Sequence, residues 1–151
     1  MAQSLSKVYV HIVFRVKTTF QQIRKKDRNE LYAYIGAVIK NNDSIPIAIN
    51  GTDDHIHILC VMSKNISLSK LVENVKSNSS RWIKTIDSYY NKFAWQGGYS
   101  GYSVSASVHD RTKRYIENQE EHHKKMTYQE EVKLFLNEYG IDYKEDYMWV
   151  D

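Results

Sequence analysis

Two histidines, His55 and His57, flank one isoleucine in a stretch whose apolar composition is typical of a buried strand. Successive side chains of a strand point to opposite faces, so both imidazoles lie on one face while Ile56, Ile58 and Cys60 point to the other. Two imidazoles at neighbouring positions of one face can bind a single metal ion. The pattern therefore indicates two ligands of a metal site, and a pair of structural strand histidines is the alternative.

A polar helix predicted over 111–125 carries residues that could complete such a site. Tyr115 and Gln119 are four positions apart and therefore share one helical face. A glutamine carbonyl oxygen can act as a further ligand, and the same face then presents a phenol beside the ion. His122 and His123 follow one turn later, and packing, DNA contact and proton handling are all open as their role.

The composition limits the class of protein. At 151 residues we expect a single domain over 1–151 with a sizeable core. The net charge of +3 permits a polyanionic partner without requiring one. The single cysteine, Cys60, excludes an internal disulfide and a cysteine-based zinc finger, and its apolar strand face predicts a core position. We find no membrane-span or signal-peptide pattern and expect a cytoplasmic protein.

The elements that must position these side chains follow the order strand, helix, strand, strand, helix, strand. Alternating residues predict strands at 7–16, 45–50, the histidine segment and 102–106. Apolar residues at intervals of three and four predict helices that begin after Asp27, as an acidic N-cap, and after Ser67. This is the order of an α+β, ferredoxin-like (split βαβ) domain, with an antiparallel sheet, helices on one face and the other face free for a site.

Residues 127–151 predict an additional helical element. Thr127 and Glu130 have the spacing of a capping box, and Gly140 is a favourable helix stop. An apolar stripe lies between them: Val132, Phe135 and Leu136. The apolar tail that follows, from Ile141 to Trp149, must pack on its own domain or on a partner subunit.

Three motifs together resemble one known family. They are the His-hydrophobe-His strand, the helix motif Tyr-Ile-x-Asn-Gln-x-x-His-His at 115–123, and the loop Trp-Gln-x-Gly-Tyr at 95–99. In combination they are similar to the single-tyrosine HUH transposases of the insertion-sequence 200/605 type, which include transposases associated with repetitive extragenic palindromes. The resemblance implies Tyr115 as nucleophile and a divalent metal, Mg²⁺ or Mn²⁺, with three ligands: His55, His57 and Gln119. Ligand type alone leaves zinc open.

The resemblance also implies an activity and partners. The protein would cleave and rejoin single-stranded DNA at hairpin-marked element ends through a 5′-phosphotyrosine intermediate, without a nucleotide cofactor, and would be associated with the nucleoid when bound to DNA. Many members are homodimers that exchange the tyrosine helix, and some are monomers. Trp95 or Tyr99 could stack on an unpaired base. From charge and placement, the candidate DNA contacts are Arg15, Lys17, Lys76, Arg81, Lys84, Arg111, Lys113 and Arg114.

The sequence leaves two alternative functions open. Replication initiators and relaxases share the histidine pair, but relaxases place the tyrosine before it and initiators commonly have lysine where this chain has Gln119. A non-catalytic ferredoxin-like nucleic-acid-binding module needs exposed aromatic side chains on central strands. Tyr9 and His11, on the less apolar face of the first strand, keep that reading open.

Overall fold

The computed structural model describes residues 2–17 and 21–149. Four strands form one antiparallel sheet: β1 (Val8–Arg15), β2 (Ile45–Gly51), β3 (His55–Met62) and β4 (Ser100–Val104). Their order across the sheet is β2-β3-β1-β4, with each neighbouring pair antiparallel. The predicted α+β class and split βαβ arrangement are thereby confirmed.

The helices fall into two groups. Two long helices connect the strands: α1 (Arg28–Asn41) and α2 (Leu68–Ile86). Four helices follow the last strand: α3 (His109–Glu117), α4 (Gln119–His122), α5 (Tyr128–Glu138) and α6 (Glu145–Met148). Within the described part of the chain, none of the helices has the length and apolarity required to cross a membrane.

The main core lies between the sheet and the first two helices. The inward residues of β1 and β3 are those that the alternating pattern predicts, and they are 6% exposed or less: Val10, Ile12, Phe14, Ile56, Ile58 and Cys60. The helices supply their periodic apolar residues to the same core, led by Leu31, Ile35, Leu71 and Val75. Burial of this continuous apolar surface is what fixes which face of β3 carries the histidines.

The opposite face of the sheet is covered, which corrects the expectation of a free face. Tyr9 and Leu59 pack against Ile116 of α3, and Val13 packs against Val132 of α5. These strand residues are apolar although they alternate with histidines, so exposing them to water would be unfavourable. The C-terminal helices therefore enclose the histidines between themselves and the sheet.

The helix predicted over 111–125 is interrupted. Asn118 has φ −102° and ψ 23°, which separates α3 from α4. The Asn50 side chain donates to the carbonyl oxygens of Ile116 and Glu117 at 3.0 and 3.1 Å. A continuous helix would use those carbonyls internally, so Asn50 satisfies the end of α3 from a neighbouring strand.

The predicted caps are partly present. Ser67 accepts a hydrogen bond from the Lys70 amide, and Thr127 and Glu130 form the reciprocal capping box. Asp27 occupies the N-cap position of α1 without a capping bond, because its carboxylate accepts from the Arg24 guanidinium and the Tyr90 hydroxyl. That carboxylate joins two segments instead of capping its own helix.

The end of the tail, Met148 and Trp149, packs on its own domain. The Arg15 guanidinium donates to the carbonyl oxygen of Trp149 at 2.9 Å, and the Gln96 amide donates to that of Met148 at 3.1 Å. The Trp149 ring lies against Tyr128 at the start of α5, with ring centroids 6.1 Å apart. The tail residues Ile141, Tyr143 and Tyr147 are exposed, so both placements that the sequence leaves open remain for them.

The buried thiol of Cys60 provides a test of this core. Cys60 has no exposed surface, and its burial raises the pKa of the thiol to about 12. Because the thiolate is the reactive form, we expect the native protein to resist alkylation by iodoacetamide at pH 8 and the urea-unfolded protein to react fully. Mass spectrometry of both samples checks this, and rapid alkylation of the native protein would contradict the placement of Cys60.

Candidate active site

His55 is the first residue of β3. Its ring is fully buried, and its Nδ1 lies 2.6 Å from an oxygen of Asp54 and 3.0 Å from the Thr52 hydroxyl. Gly51 makes the close turn possible, because a Cβ there would collide with the His55 carbonyl oxygen. The turn thus holds the ring so that the other nitrogen, Nε2, faces inward.

His57 is oriented by a second histidine. Its Nδ1 lies 2.7 Å from Nε2 of His11, and both rings are almost completely buried. The β1–β3 register pairs Val13 with His57 and His11 with Leu59, so the two histidines are diagonal neighbours on one face. His11 therefore fixes the ring of His57 and leaves Nε2 of His57 directed at the interior.

A carboxylate from α5 lies at the centre of the cluster. Oε1 of Glu131 is 2.8 Å from Nε2 of His57, 3.1 Å from Nε2 of His123 and 3.5 Å from Nε2 of His55. Oε2, on the other side, accepts a hydrogen bond from the Tyr115 hydroxyl. One side chain that is 1% exposed thus connects the histidines to the phenol.

Gln119 is also at the site. It is fully buried, and its Oε1 lies 3.3 Å from Nε2 of His55. Its amide nitrogen donates to Oε2 of Glu131 at 3.3 Å. The break at Asn118 does not prevent the predicted convergence, and the structure brings Gln119, Tyr115 and the two strand histidines together.

His122, the last residue of α4, and His123, which follows it, have different surroundings. The His123 ring lies 4.3 Å from that of His55 and joins the cluster. The His122 ring lies 4.3 Å from that of Tyr115. His123 therefore contacts the histidine cluster, and His122 contacts the phenol of Tyr115.

Glu131 is the site residue that the sequence reasoning missed. A signal was available, because Glu131 precedes Phe135 by four residues and so falls on the apolar stripe of α5. A carboxylate on a buried stripe requires a cationic or metal partner. Two of its partners, His55 and His57, lie more than seventy residues away on β3, and only the fold shows that contact.

The surroundings shift the pKa values of His55 and His57 in opposite directions. Burial disfavours the charged form of His55, but Asp54 and Glu131 outweigh burial and raise its pKa to about 9. For His57, burial dominates over the attraction of Glu131 and lowers the pKa to about 4. Without a metal, one positive imidazolium and one neutral imidazole therefore lie side by side.

The pKa values of Tyr115 and of its partner Glu131 are also shifted. Burial and then the Glu131 carboxylate raise the pKa of the Tyr115 phenol above its ordinary value of 10. Burial would raise the pKa of Glu131, but hydrogen bonds from His123, His55 and His57 lower it. The metal-free arrangement thus keeps the proton on the phenol and the charge on the carboxylate.

The donor set fits a divalent metal ion. Within the described ranges, ligand atoms of His55, His57, His123 and Glu131 all lie within 4.8 Å of one another. Imidazoles suit first-row transition metals, zinc included, and carboxylates suit Mg²⁺ and Mn²⁺, so this mixture suits Mn²⁺ or Zn²⁺ better than Mg²⁺ and does not identify the ion. The chemistry of the residues is therefore compatible with the metal that the sequence predicts.

Two of the side chains predicted to contact DNA form hydrogen bonds within the protein instead. The buried Arg15 guanidinium donates to the carbonyl oxygens of Val16 and Trp149. The Lys76 ammonium donates to carbonyl oxygens of the 96–98 loop, and burial lowers its pKa to about 8. Both groups bond to backbone oxygens, so neither is directed at a DNA phosphate in this structure.

The two aromatic candidates for base stacking also differ. Trp95 is buried, its indole nitrogen donates to the Ser79 hydroxyl, and its ring packs edge-on against Phe14 and Phe93. Tyr99 is 41% exposed. Trp95 is thus a core residue, which corrects its suggested stacking role, and Tyr99 keeps an accessible ring.

The other basic residues that the sequence predicts as DNA contacts include groups on both sides of the sheet. One exposed group is on α3, the helix of the phenol: Arg111, Lys113 and Arg114. The other exposed group is on α2, which packs on the opposite face: Arg81 and Lys84. Lys17, directly after β1, is half-buried. Only the α3 group shares a side of the sheet with Tyr115.

Comparisons with known proteins agree with the fold and the motifs. The family model described as "Transposase IS200 like" matches residues 4–119. Among curated protein sequences, none matches the chain. A solved structure of a candidate transposase from Deinococcus radiodurans R1 has a TM-score of 0.60 and 19% identity, covering 79% of this chain and 98% of that chain.

A second solved structure is a tyrosine transposase associated with REP sequences, bound to a REP hairpin. Its TM-score is 0.57 at 12% identity, covering 78% of this chain and 70% of that chain. At these identities the two structures establish a shared fold. The family match ends at Gln119, so it includes the strand histidines and Tyr115 but neither His123 nor Glu131.

Metal addition should stabilise the protein measurably. A ligand at about 100 times its Kd stabilises the folded state by about 2.7 kcal/mol, which corresponds to roughly 5–10 °C in Tm for a chain of this size. We expect Mn²⁺ to produce such a shift in differential scanning fluorimetry, Mg²⁺ to produce a smaller one at the same concentration, and His57→Asn to abolish both. An equal shift in the wild type and the variant would place the metal elsewhere.

Proposed function

The chain belongs to the IS200-like transposase family, and we propose that it cleaves and rejoins single-stranded DNA through a covalent phosphotyrosine at Tyr115. The observation that carries the proposal is the shared carboxylate of Glu131, which holds the Tyr115 hydroxyl on one oxygen and faces the histidines on the other. A phenol held next to a buried cluster of metal ligands is an arrangement suited to attack on a phosphodiester.

The proposed reaction exchanges one phosphodiester for another. The Tyr115 oxygen attacks the scissile phosphorus in line, a bond to the DNA 5′ phosphate forms, and the bond to the 3′ oxygen breaks. The phenol loses its proton and the leaving 3′ oxygen gains one. Reversal by a 3′-hydroxyl of another strand joins new ends, and the covalent bond conserves the energy, so no nucleotide cofactor is needed.

The metal is proposed to be Mg²⁺ or Mn²⁺, held at His55, His57 and Gln119. When bound, a divalent cation supplies charge neutralisation and orientation at the scissile phosphate. Asp54 and His11 hold the two imidazoles from behind, as partners of metal-binding histidines commonly do. The enclosure by α5 excludes water from the cluster, which strengthens each polar contact within it.

The substrate class follows from the family and from the position of the basic residues. We infer single-stranded DNA with subterminal hairpins, and the structurally similar REP-associated transposase bound to a REP hairpin supports that inference. Arg111 and Arg114 are exposed on the helix of the nucleophile, while Lys113 lies 3.9 Å from the Glu117 carboxylate. Exposed Tyr99 provides a ring for stacking on an unpaired base.

The assembly is proposed as a homodimer, in line with many family members. A single chain nevertheless brings Tyr115 within reach of His55 and His57, so the phenol of a partner is not required to complete the cluster. A dimer with each site built within one subunit is therefore consistent with this geometry. Light scattering gives the mass in solution directly.

The alternative of a non-catalytic nucleic-acid-binding module loses its main support. The Tyr9 ring stacks on His109 and is 9% exposed, and His11 is bonded to His57. Neither ring is available on the sheet for stacking on a base. Among nicking enzymes that share the histidine pair, the order of motifs and Gln119 continue to favour the transposase.

Replacement of Tyr115 tests the nucleophile. Tyr115→Phe removes only the attacking oxygen, so we expect the covalent protein–DNA species to disappear while DNA binding is retained. The assay is denaturing electrophoresis after incubation of end-labelled single-stranded hairpin DNA with Mn²⁺. The control is Tyr34→Phe on α1, on the opposite side of the sheet, which should form the covalent species normally.

Two outcomes would contradict the assignment of Tyr115. One is a covalent species that persists in Tyr115→Phe, and the other is a loss that appears equally in Tyr34→Phe.

Charge removal on α3 tests the DNA-binding side. Each phosphate contact contributes about one unit to the slope of log K against log salt. We expect the double variant Arg111→Ala/Arg114→Ala to reduce that slope by about two in fluorescence anisotropy with a hairpin oligonucleotide. The matched control is Arg81→Ala/Lys84→Ala on α2. A reduction confined to the control pair would place the DNA on the opposite side of the sheet.

A further inference from the structure

Two side chains of the cluster lie beyond the segment that matches the family. The match ends at Gln119, whereas His123 follows α4 and Glu131 belongs to α5. Both are directed at the same point as the strand histidines, and Glu131 is buried to 1% exposure. The C-terminal helices therefore contribute chemistry to the site as well as apolar cover.

The donor atoms lie close enough together to be drawn around one ion. Nitrogen or oxygen atoms bound at about 2.1 Å to a common cation lie roughly 3.0–3.4 Å from one another. The three Nε2 atoms of His57, His123 and His55 lie 2.8, 3.1 and 3.5 Å from Oε1 of Glu131. All four donor atoms lie within 4.8 Å of one another, so a closer approach of the side chains would place them around one ion.

Hydrogen bonding alone explains this arrangement poorly. A single carboxylate oxygen offers about two lone-pair positions, and three ring nitrogens compete for them. Two of the rings, His55 and His57, are held through Nδ1 by Asp54 and His11, which aims both Nε2 atoms inward. Histidines that bind a metal through one ring nitrogen are usually held by a hydrogen bond at the other nitrogen.

Charge also favours a carboxylate in the coordination sphere. A site made of neutral imidazoles and a glutamine leaves both positive charges of a divalent cation uncompensated in a buried pocket. A buried charge without a partner is strongly unfavourable. Glu131 would reduce the net charge to one, while its second oxygen keeps the hydrogen bond to Tyr115.

We propose that Glu131, through Oε1, and His123, through Nε2, are metal ligands in addition to His55, His57 and Gln119, and that Oε2 of Glu131 positions the Tyr115 hydroxyl beside the ion. The inference rests on the proposed function for the role of Tyr115 alone. The metal ligation itself makes α5 an integral part of the site. One carboxylate thereby sets the relation between the metal and the nucleophile.

The test is a titration of the full chain with Mn²⁺ in the absence of DNA, by isothermal calorimetry with free Mn²⁺ counted by electron paramagnetic resonance. Glu131→Gln keeps the shape and hydrogen-bonding capacity of the side chain and removes its charge. We expect it to weaken Mn²⁺ binding by at least about 10-fold, since even partners of metal ligands contribute 10–100-fold. The matched control is Glu138→Gln, exposed on the same helix, which should bind Mn²⁺ as the wild type does.

Two further variants separate ligation from folding. His123→Asn should also weaken Mn²⁺ binding, and it carries the test if Glu131→Gln does not fold by circular dichroism. Tyr115→Phe should weaken Mn²⁺ binding less than Glu131→Gln does, because the phenol is a hydrogen-bond partner of the carboxylate and not a ligand.

Wild-type affinity in both Glu131→Gln and His123→Asn overturns the proposal, and so does tighter binding in Glu131→Gln, which would make the carboxylate a competitor of the ion. Failure of the proposed function looks different, because the wild type would then bind Mn²⁺ without cleaving DNA.

Discussion

The structure depends on one buried carboxylate. Glu131 is enclosed between α5 and the sheet, and an ionised carboxylate in such a place is tolerated only with close partners. The three histidines and the Tyr115 hydroxyl are those partners. Because these partners come from β3, α3 and the end of α4, this one side chain connects α5 to the other elements that contribute to the cluster.

The sheet makes that arrangement possible by dividing its two faces between stability and chemistry. One face holds the main apolar core with α1 and α2, and this core sets the register and orientation of β3. The other face combines apolar residues such as Val13 and Leu59 with the histidines, so the C-terminal helices gain apolar burial while they enclose polar groups. The polar cluster is therefore held by packing that does not itself take part in the proposed reaction.

Much of this could be predicted from the sequence where the signal is local. The strand alternation around His55 and the spacing of Tyr115 and Gln119 are short-range patterns, and they identified residues that the fold brings together. The interruption at Asn118 depends on Asn50 from a distant strand. Glu131 and the buried state of Trp95 depend on which elements meet across the fold, and no spacing within one element encodes that.

The central claim is that Tyr115 forms a covalent bond with DNA beside a metal held by the histidine cluster. The most direct measurement is peptide-mapping mass spectrometry of the wild-type protein after reaction with single-stranded hairpin DNA and Mn²⁺, followed by nuclease digestion. The account predicts a nucleotide adduct on the peptide that contains Tyr115, absent when the metal is chelated. An adduct on another residue, or DNA cleavage with no adduct, would contradict it.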